Sequence, residues 1–400
     1  MHRPKRVLLA ATGWFAGHPR LFFKYTVPLL QRGHRVWLWA KSTPPGLAPG
    51  LGQHFEAIDN GLISRGLRKR LKLTHQLSKL AQAFRPEVTI LFSPELAPRS
   101  ARARRGLGTF LYYDRMEDYP ANVLHGPGYR SLLRKPLARL VMNLEERMGN
   151  AVTGMILAEE RFQAFSEAIA PQKPTLLLPN LGHNLDSLQH VAPQTNPART
   201  NAPYQAQKAA LRLIVSGTLA EQWGTLAALR FAGNLSKQGP VELVVAGYAA
   251  QKNFREQLLQ ALNRLQSKNS RLTVEAVGIT EPVAYLQQLQ RIAAADLGLA
   301  FYQESEQFKN RVPSKFYEFK AAGTPLLYTP TNGFEAPAAS LRVGHPIPTD
   351  QVFGREVLPA TLYQDLKQLA DRKPDATSIP PDRYLYTDRW ATSLMEFIGC

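Results

Sequence analysis

Short apolar runs with strand character alternate with segments of helical spacing along most of this chain, and this alternation constrains the fold more than any other feature. Such a rhythm is typical of parallel sheets that are covered by helices on both faces. The predicted strands of a first series are 6–11, 36–40, 88–92, 108–113, 154–157 and 175–178, and those of a second are 211–216, 241–246, 272–277, 296–300 and 326–328. The sequence therefore predicts an α/β fold with two doubly wound parallel sheets.

Composition divides the chain between the two series. Residues 186–209 are rich in Gln, Asn, Pro and Ala and poor in large apolar side chains, which is typical of a linker. We expect a first domain over residues 1–185, a second over 210–376 and a tail over 377–400 that is helical within 384–398. A length of 400 residues with 44% hydrophobic content is sufficient for two cores.

Several classes of protein are disfavoured by composition. No apolar run approaches the length of a membrane span, and residues 1–6 lead directly into a strand-like segment and not into a signal-peptide core. We therefore expect a cytoplasmic protein. The single cysteine, Cys400, excludes an intramolecular disulfide and a cysteine-based metal cluster.

The positive charge is concentrated in the first part of the chain. Residues 1–150 contain 25 Lys and Arg against 9 Asp and Glu, a net charge of +16 of the total of +18. Residues 67–84 combine a leucine stripe with Arg68, Lys69 and Arg70, a pattern that predicts a basic amphipathic helix. Each basic residue beside an anionic leaflet contributes roughly 1 kcal/mol, so we expect an anionic membrane surface as a partner. A solvated basic face without a partner is the alternative, and nucleic acid is disfavoured because no binding motif accompanies the charge.

The segment 310–328 contains the strongest functional pattern. Pro313 and Ser314 predict a helix start, and Gly323 with Pro325 predict its end before an apolar strand. Lys315 falls in the first helical turn, where a cation is most favourable if an anion binds beside it. Glu318 lies on the same helical face and could accept hydrogen bonds from two vicinal hydroxyls. An ordinary solvated Lys–Glu pair is the alternative.

The spacing Pro-x-Lys-x-x-Glu-Phe-x-Ala-Ala-Gly-x-Pro at 313–325 resembles the donor-binding motif of GT-B glycosyltransferases, in particular the large retaining group that makes bacterial glycans and glycolipids. The resemblance implies that Lys315 binds the donor diphosphate and that Glu318 binds the nucleotide ribose. Many members of the family have a glutamate where this chain has Asn310, which can hydrogen-bond a sugar but carries no charge. The resemblance also implies two Rossmann-like domains that face a central cleft, a terminal helix that crosses back to the first domain, and retention of configuration.

A second donor-side segment, 216–224, is similar to the glycine-containing loop that approaches the donor phosphates in this family. Its candidate donor-binding residues are Gly217, Thr218 and Gly224, although both glycines could be simple turn residues. The loop contains no Arg or Lys, so neutralisation of the phosphates is expected from Lys315, from backbone amides and from two arginines, Arg311 and Arg20. Ser314 completes the predicted donor-binding set.

The first series carries the predicted acceptor side. Residues 112–120 resemble a Tyr-Asp-x-His-Glu-x-x-Pro segment of the family, with Met116 in place of the histidine. Asp114 and Glu117 are therefore candidate catalytic groups together with Asn310, although a structural role for these carboxylates is an alternative. Other residues at predicted strand ends and helix starts complete the set: Gly17, Arg20 and Glu95.

These observations predict a glycosyltransferase, a hexosyltransferase type, that moves a sugar from a UDP- or GDP-linked donor to a lipid-linked or glycan acceptor. We expect no metal and no cofactor, because the nine histidines are scattered and no Asp-x-Asp follows a strand. The expected location is the inner face of the plasma membrane. Two alternatives stay open, namely a sugar-nucleotide epimerase of the same architecture and a non-catalytic protein that binds nucleotide sugars or polyanions.

Overall fold

The computed structural model describes residues 3–42, 44, 46–47, 50–61, 67–98, 101–126, 129–189, 210–354, 358–372 and 379–400. The chain forms two compact units. The first comprises the residues up to Asn180 together with Tyr386–Cys400, and the second comprises the described residues between Leu181 and Leu385. Most of the predicted linker, 190–209, lies outside the described residues.

The first unit contains a seven-stranded parallel sheet with the order β3-β2-β1-β4-β5-β6-β7. Its strands are β1 Arg6–Phe15, β2 Arg35–Lys41, β3 Phe55–Asp59, β4 Val88–Leu91, β5 Phe110–Arg115, β6 Gly154–Leu157 and β7 Thr175–Leu177. Strand β1 is longer than the predicted strand 6–11, because it continues to Phe15 with a register shift after Ala10. The edge strand β3 was not predicted, since its side chains are only half-buried.

Helices flank this sheet. They are α1 Val27–Gln31, α2 Leu67–Phe84, α3 Ala101–Gly106, α4 Tyr119–His125, α5 Ser131–Ala151 and α6 Gln163–Ile169. A wider π-helical turn, Arg20–Thr26, runs directly into α1. The bounds of α2 are those of the predicted basic helix, and the side chains of Arg68, Lys69 and Arg70 lie outside the described residues.

The second unit contains a six-stranded parallel sheet with the order β10-β9-β8-β11-β12-β13. Its strands are β8 Leu211–Thr218, β9 Val241–Tyr248, β10 Leu272–Ile279, β11 Leu297–Ala300, β12 Leu326–Tyr328 and β13 Gly344–Pro346. The central strands β8, β9 and β11 are almost continuously buried, as parallel strands covered on both faces must be. The prediction of two doubly wound parallel sheets is confirmed.

The remaining helices are α7 Leu185–Gln189, α8 Thr225–Leu235, α9 Lys252–Lys268, α10 Tyr285–Ala293, α11 Ser314–Ala322, α12 Glu335–Leu341, α13 Thr349–Phe353, α14 Leu362–Asp371 and α15 Asp388–Ile398. Helix α15 belongs to the first unit, where the Tyr112 hydroxyl donates to the carbonyl of Phe397 at 3.0 Å. Among the helices of the described residues, none combines the length and the apolar character needed to cross a bilayer.

The strand order reverses between β1 and β4 in the first sheet and between β8 and β11 in the second. In open parallel sheets, ligands bind beyond the carboxyl ends of the strands at such a reversal. We therefore expect a site at the carboxyl ends of β1 and β4 in the first sheet and of β8 and β11 in the second.

Candidate functional site

In the second unit, the end of β8 is shaped by glycine. Gly217 has φ +85°, a backbone conformation that glycine adopts without cost. A Cβ at Gly247, its neighbour on β9, would lie 1.8 Å from the Gly217 carbonyl oxygen. The two strands are therefore so close at this point that only glycine fits at residue 247. Thr218 follows as the exposed last residue of β8. This part of the site is an open backbone platform beside the strand reversal.

Helix α11 follows β11 and carries the predicted donor-binding pair. It begins at Ser314 after Pro313 and ends at Ala322 before Gly323, whose φ is +69°, so the predicted start and stop signals are confirmed. Phe319 packs over the centre of β11, where a Cβ on Gly298 would lie 2.0 Å from its ring. This contact holds α11 against the sheet beside the end of β8.

Lys315 points from the first turn of α11 to Gly217. Its Cε lies 3.3 Å from the position that a Cβ on Gly217 would occupy. Its Nζ lies 5.8 Å from the ring centre of Trp223 and 5.6 Å from that of Tyr302, within the range of cation–π attraction. Lys315 is only 6% exposed, and burial lowers its pKa to about 8 while the charge of Glu318 acts in the opposite direction. An anion beside Nζ would raise this pKa again, because it stabilises the ammonium form.

Glu318 lies one turn further along α11 and is 7% exposed. Burial raises the pKa of Tyr285, and the negative charge of Glu318 raises it further, as it does for Tyr302. The Tyr285 hydroxyl lies 3.4 Å from Nδ1 of His183. The glutamate predicted to bind ribose hydroxyls thus lies among polar groups on the same face of the helix as Lys315.

The loop after β8 returns the chain into α8 at Gly224. Gly224 has φ +71°, and a Cβ there would lie 1.5 Å from the carbonyl oxygen of Phe301. Gly224 must therefore be glycine for a packing reason as well as a backbone one. Within the described structure, no side chain caps the amino end of α8 or of α11. Backbone amides at such helix ends can bind anions, and Ser314 is the exposed first residue of α11.

The segment between β11 and α11 holds Asn310 and Arg311. Asn310 is exposed with φ +58°, a region that asparagine tolerates far better than glutamate does. Its backbone N–H donates to the backbone carbonyl of Asn332 at 2.9 Å. The Asn332 side chain in turn donates to the carbonyl of Gln303 at 3.0 Å. Arg311 is half-buried, and its charge acts to lower the pKa of Tyr302, which burial raises. The segment is therefore fixed next to the Lys315 site.

Sequence reasoning did not assign the aromatic side chains around Lys315. Tyr302 follows β11, and its carbonyl accepts from the Thr329 hydroxyl at 2.8 Å. Its ring centre lies 5.2 Å from that of Phe308, and the rings of Trp223 and Phe308 are 6.3 Å apart. Trp223 lies in the loop 216–224 that was predicted to approach the donor phosphates. An aromatic residue in such a loop is the sequence feature that could have indicated these contacts.

In the first unit, Arg20 and Asp114 form a buried ion pair. Arg20 Nε donates to Asp114 Oδ2 at 2.7 Å, and the two side chains are 1% and 0% exposed. Arg20 Nη1 also donates to the Leu178 carbonyl at 2.6 Å, and the Tyr25 hydroxyl donates to the same Asp114 oxygen. These contacts favour the structural role that was the alternative for Asp114, and its role as a catalytic group stays a prediction.

Arg20 was expected to be available to a phosphate. Burial lowers its pKa, but attraction to Asp114 more than offsets this effect and the pKa is raised. Its Nη2 atom is buried and has no hydrogen-bond partner in the part of the chain that the structure describes. A phosphate contact by Arg20 stays a prediction.

The other predicted residues of the first unit lie near the carboxyl ends of its strands. Glu95 is 3% exposed and accepts a hydrogen bond from the Thr12 hydroxyl, so it joins the ends of β1 and β4. Glu117 is half-buried and accepts from Asn122 Nδ2 at 2.6 Å. Gly17 lies in the turn after β1. Of the predicted acceptor-side carboxylates, Glu117 has the most accessible surface.

Among the described residues, no three His, Cys, Asp or Glu side chains are grouped so that they could hold a metal ion. In the second unit, the groups that could hold an anion are Lys315 and the backbone amides at the amino ends of α8 and α11.

Comparisons with known structures agree with this fold. The sequence matches no protein-family model and no curated protein. The chain is similar to Alr3699/HepE of Anabaena, whose crystal structure holds UDP and glucose, with 14% identity over 99% of each chain and a TM-score of 0.61. It is similar to WaaG, a glycosyltransferase involved in lipopolysaccharide biosynthesis, with 17% identity over 95% of this chain and 98% of that one and a TM-score of 0.59.

A third similar structure is the sucrose-phosphate synthase of Thermosynechococcus elongatus, with 12% identity over 99% of this chain and 98% of that one and a TM-score of 0.62. At these identities the likeness defines the fold, and the fold is the GT-B fold of glycosyltransferases. The expectation of that fold, made from the motif at 313–325, is confirmed.

Proposed function

We propose that this protein transfers a hexosyl group from a nucleotide sugar to a hydroxyl of a lipid-linked or glycan acceptor. The observation that carries the proposal is the contact of Lys315 with Gly217 at the strand reversal of the second sheet. In this contact a buried cation, whose charged form is disfavoured by burial, lies against an open stretch of backbone. A diphosphate there would be gripped by the ammonium and by amides at the amino ends of α8 and α11.

In the proposed reaction, the bond between the sugar C1 and the diphosphate breaks, a bond forms between C1 and the acceptor oxygen, and the proton of the acceptor hydroxyl passes to a carboxylate, for which Glu117 is the candidate. The leaving nucleoside diphosphate gains negative charge as the bond breaks, and Lys315 lies where it would stabilise that charge. Glu318 would accept hydrogen bonds from the ribose hydroxyls, and Asn310 would contact the sugar. Glu117 is the proposed acceptor-side carboxylate, since Asp114 is fully buried.

Similar proteins support the choice of substrates. The structure of Alr3699/HepE holds UDP and glucose, and WaaG takes part in lipopolysaccharide synthesis. We therefore propose a UDP- or GDP-linked donor, an acceptor of cell-surface polysaccharide or glycolipid synthesis, and association with an anionic membrane surface on its cytoplasmic side. Retention of configuration is part of the proposal by resemblance alone.

The experiment is a transfer assay with a panel of nucleotide sugars and a lipid extract, read as release of nucleoside diphosphate together with a labelled product. Lys315→Ala and Glu318→Ala should each abolish most transfer while circular dichroism shows a folded chain. Glu306→Ala, at a side chain that is 69% exposed on the preceding segment, is the matched control and should keep full activity. Full activity in both site variants would reject the site, and a new sugar nucleotide formed without acceptor would identify an epimerase.

A further inference from the structure

The amino-terminal half of α5 exposes leucines that a folded domain would normally bury. Leu132 is 89% exposed, Leu133 is 52% exposed and Leu140 is 40% exposed. The opposite side of the helix is committed to the protein, because Ala138 and Val141 pack in a cluster with Val123 of α4. The exposed side chains are therefore not a consequence of a poorly packed helix.

The spacing of these residues gives one continuous strip. Leu132, Pro136 and Leu140 are four residues apart, so they lie along one face of the helix, and Leu133 borders it. Positive charge flanks the strip, with Arg130, Lys135 and Arg139 all exposed. We call this set, Leu132, Leu133 and Leu140 with Arg130, Lys135 and Arg139, the α5 leucine face.

Charge identifies the partner that fits the α5 leucine face. The sequence from Arg130 to Leu144 contains four Arg or Lys residues and no Asp or Glu. A second copy of the chain docking through the same face would bring these like charges together, which disfavours a symmetric dimer. An anionic lipid surface suits both the leucines and the basic residues of this face. The leucines can enter the boundary of headgroups and acyl chains while the cations stay at the phosphates.

We infer that the α5 leucine face docks the protein on anionic lipid. The inference rests on the membrane association proposed above and assigns the contact to α5, whereas the sequence pointed to Arg68, Lys69 and Arg70 on α2. It adds an apolar component, so binding should persist in part when salt screens the charges. Sugar transfer to a water-soluble acceptor does not depend on it.

The test is co-sedimentation of the full chain with vesicles of phosphatidylcholine, with and without phosphatidylglycerol. The wild type should bind the vesicles that contain phosphatidylglycerol much more strongly than those of phosphatidylcholine alone. The double variant Leu132→Ser/Leu133→Ser should bind them at least about tenfold more weakly, and Lys135→Gln/Arg139→Gln should weaken binding and flatten its salt dependence. Leu259→Ser, at a 41% exposed leucine of α9 in the second unit, is the matched control and should bind like the wild type.

Each other outcome overturns the inference. Equal binding of the wild type to both vesicles, or to neither, would reject an anionic lipid partner. Wild-type binding by the leucine variant would exclude the α5 leucine face, and a wild-type dimer that dissociates in the leucine variant during ultracentrifugation would show that the face binds a second copy. Release of nucleoside diphosphate with a soluble acceptor, measured on the same samples, reports separately whether the proposed transfer reaction holds.

Discussion

Lys315 and Gly217 are in contact across two elements of the second unit, because a Cβ on Gly217 would lie 3.3 Å from Cε of Lys315. Gly217 is the penultimate residue of β8, and Lys315 belongs to the first turn of α11. The absence of a side chain at residue 217 thus sets the path of the lysine.

The Gly217→Ala variant should bind a nucleoside diphosphate at least about tenfold more weakly, because the added methyl group displaces the lysine and strains the backbone at φ +85°. Isothermal titration with UDP and GDP measures the change. Gly323→Ala is the matched control, since Gly323 has φ +69° but nothing within 4 Å of an added Cβ. Equal loss of affinity in both variants would mean that backbone strain, and not the position of Lys315, is responsible.

Replacing Lys315 should stabilise the fold while it removes function. Burial lowers the pKa of Lys315 from 10.5 to about 8, so the ammonium form is disfavoured in the folded state. At 1.36 kcal/mol per pKa unit, Lys315→Met should raise the free energy of unfolding at pH 7 by up to about 3 kcal/mol. The gain should be full below pH 8 and should shrink as the pH rises towards 10.5.

Urea unfolding at several pH values measures that gain. Lys309→Met, at a lysine side chain that is 60% exposed, should leave stability unchanged. A Lys315→Met protein that is less stable than the wild type at pH 7 would show that the ammonium is stabilised by contacts in the free protein.

Donor affinity should fall as the pH rises above about 8, because the free protein then loses the Lys315 proton that a bound diphosphate requires. Each pH unit beyond that point should weaken binding by up to about tenfold until the pKa of the complex is reached. Quenching of Trp223, whose ring centre lies 5.8 Å from Lys315 Nζ, provides the measurement. A Lys315→Arg variant that keeps binding should lose this pH dependence, since arginine stays protonated; the same pH profile in that variant would assign the titration to another group.

Breaking the Arg20–Asp114 pair should destabilise the first unit. Asp114→Leu leaves the Arg20 guanidinium buried without its carboxylate, a change that costs about 3–5 kcal/mol in comparable pairs. Urea unfolding should show this loss, and Glu117→Leu, at the more accessible neighbouring carboxylate, should cost far less. If Asp114→Leu kept its stability but lost all transfer activity, the result would instead support the predicted catalytic role of Asp114.

The parts of the fold that could be predicted are those that depend on local sequence. Apolar runs such as residues 241–246 predict a buried parallel strand, and Pro313 and Gly323 indicate where α11 begins and ends. Strand β13 was missed because its three residues, one of them proline, have no apolar periodicity.

The site was predicted only where one segment contains it. Lys315 and Glu318 were predicted together because they are three residues apart on one helix. The Arg20–Asp114 pair spans 94 residues, so only the strand order brings its members together, and Asp114 was consequently assigned to the acceptor site. The contact of Lys315 with Gly217 has the same origin, because it follows from the adjacency of β8 and β11.

The central claim is that Lys315 holds the diphosphate of a nucleotide sugar, and titration of the wild type and of Lys315→Met with UDP, GDP and UMP tests it most directly. We expect one of the two diphosphates to bind the wild type at a single site, and the variant to lose at least about tenfold of that affinity. UMP, which lacks the second phosphate, should distinguish the two proteins much less. Failure of both diphosphates to bind the wild type, or equal binding of a diphosphate to both proteins, would contradict the claim.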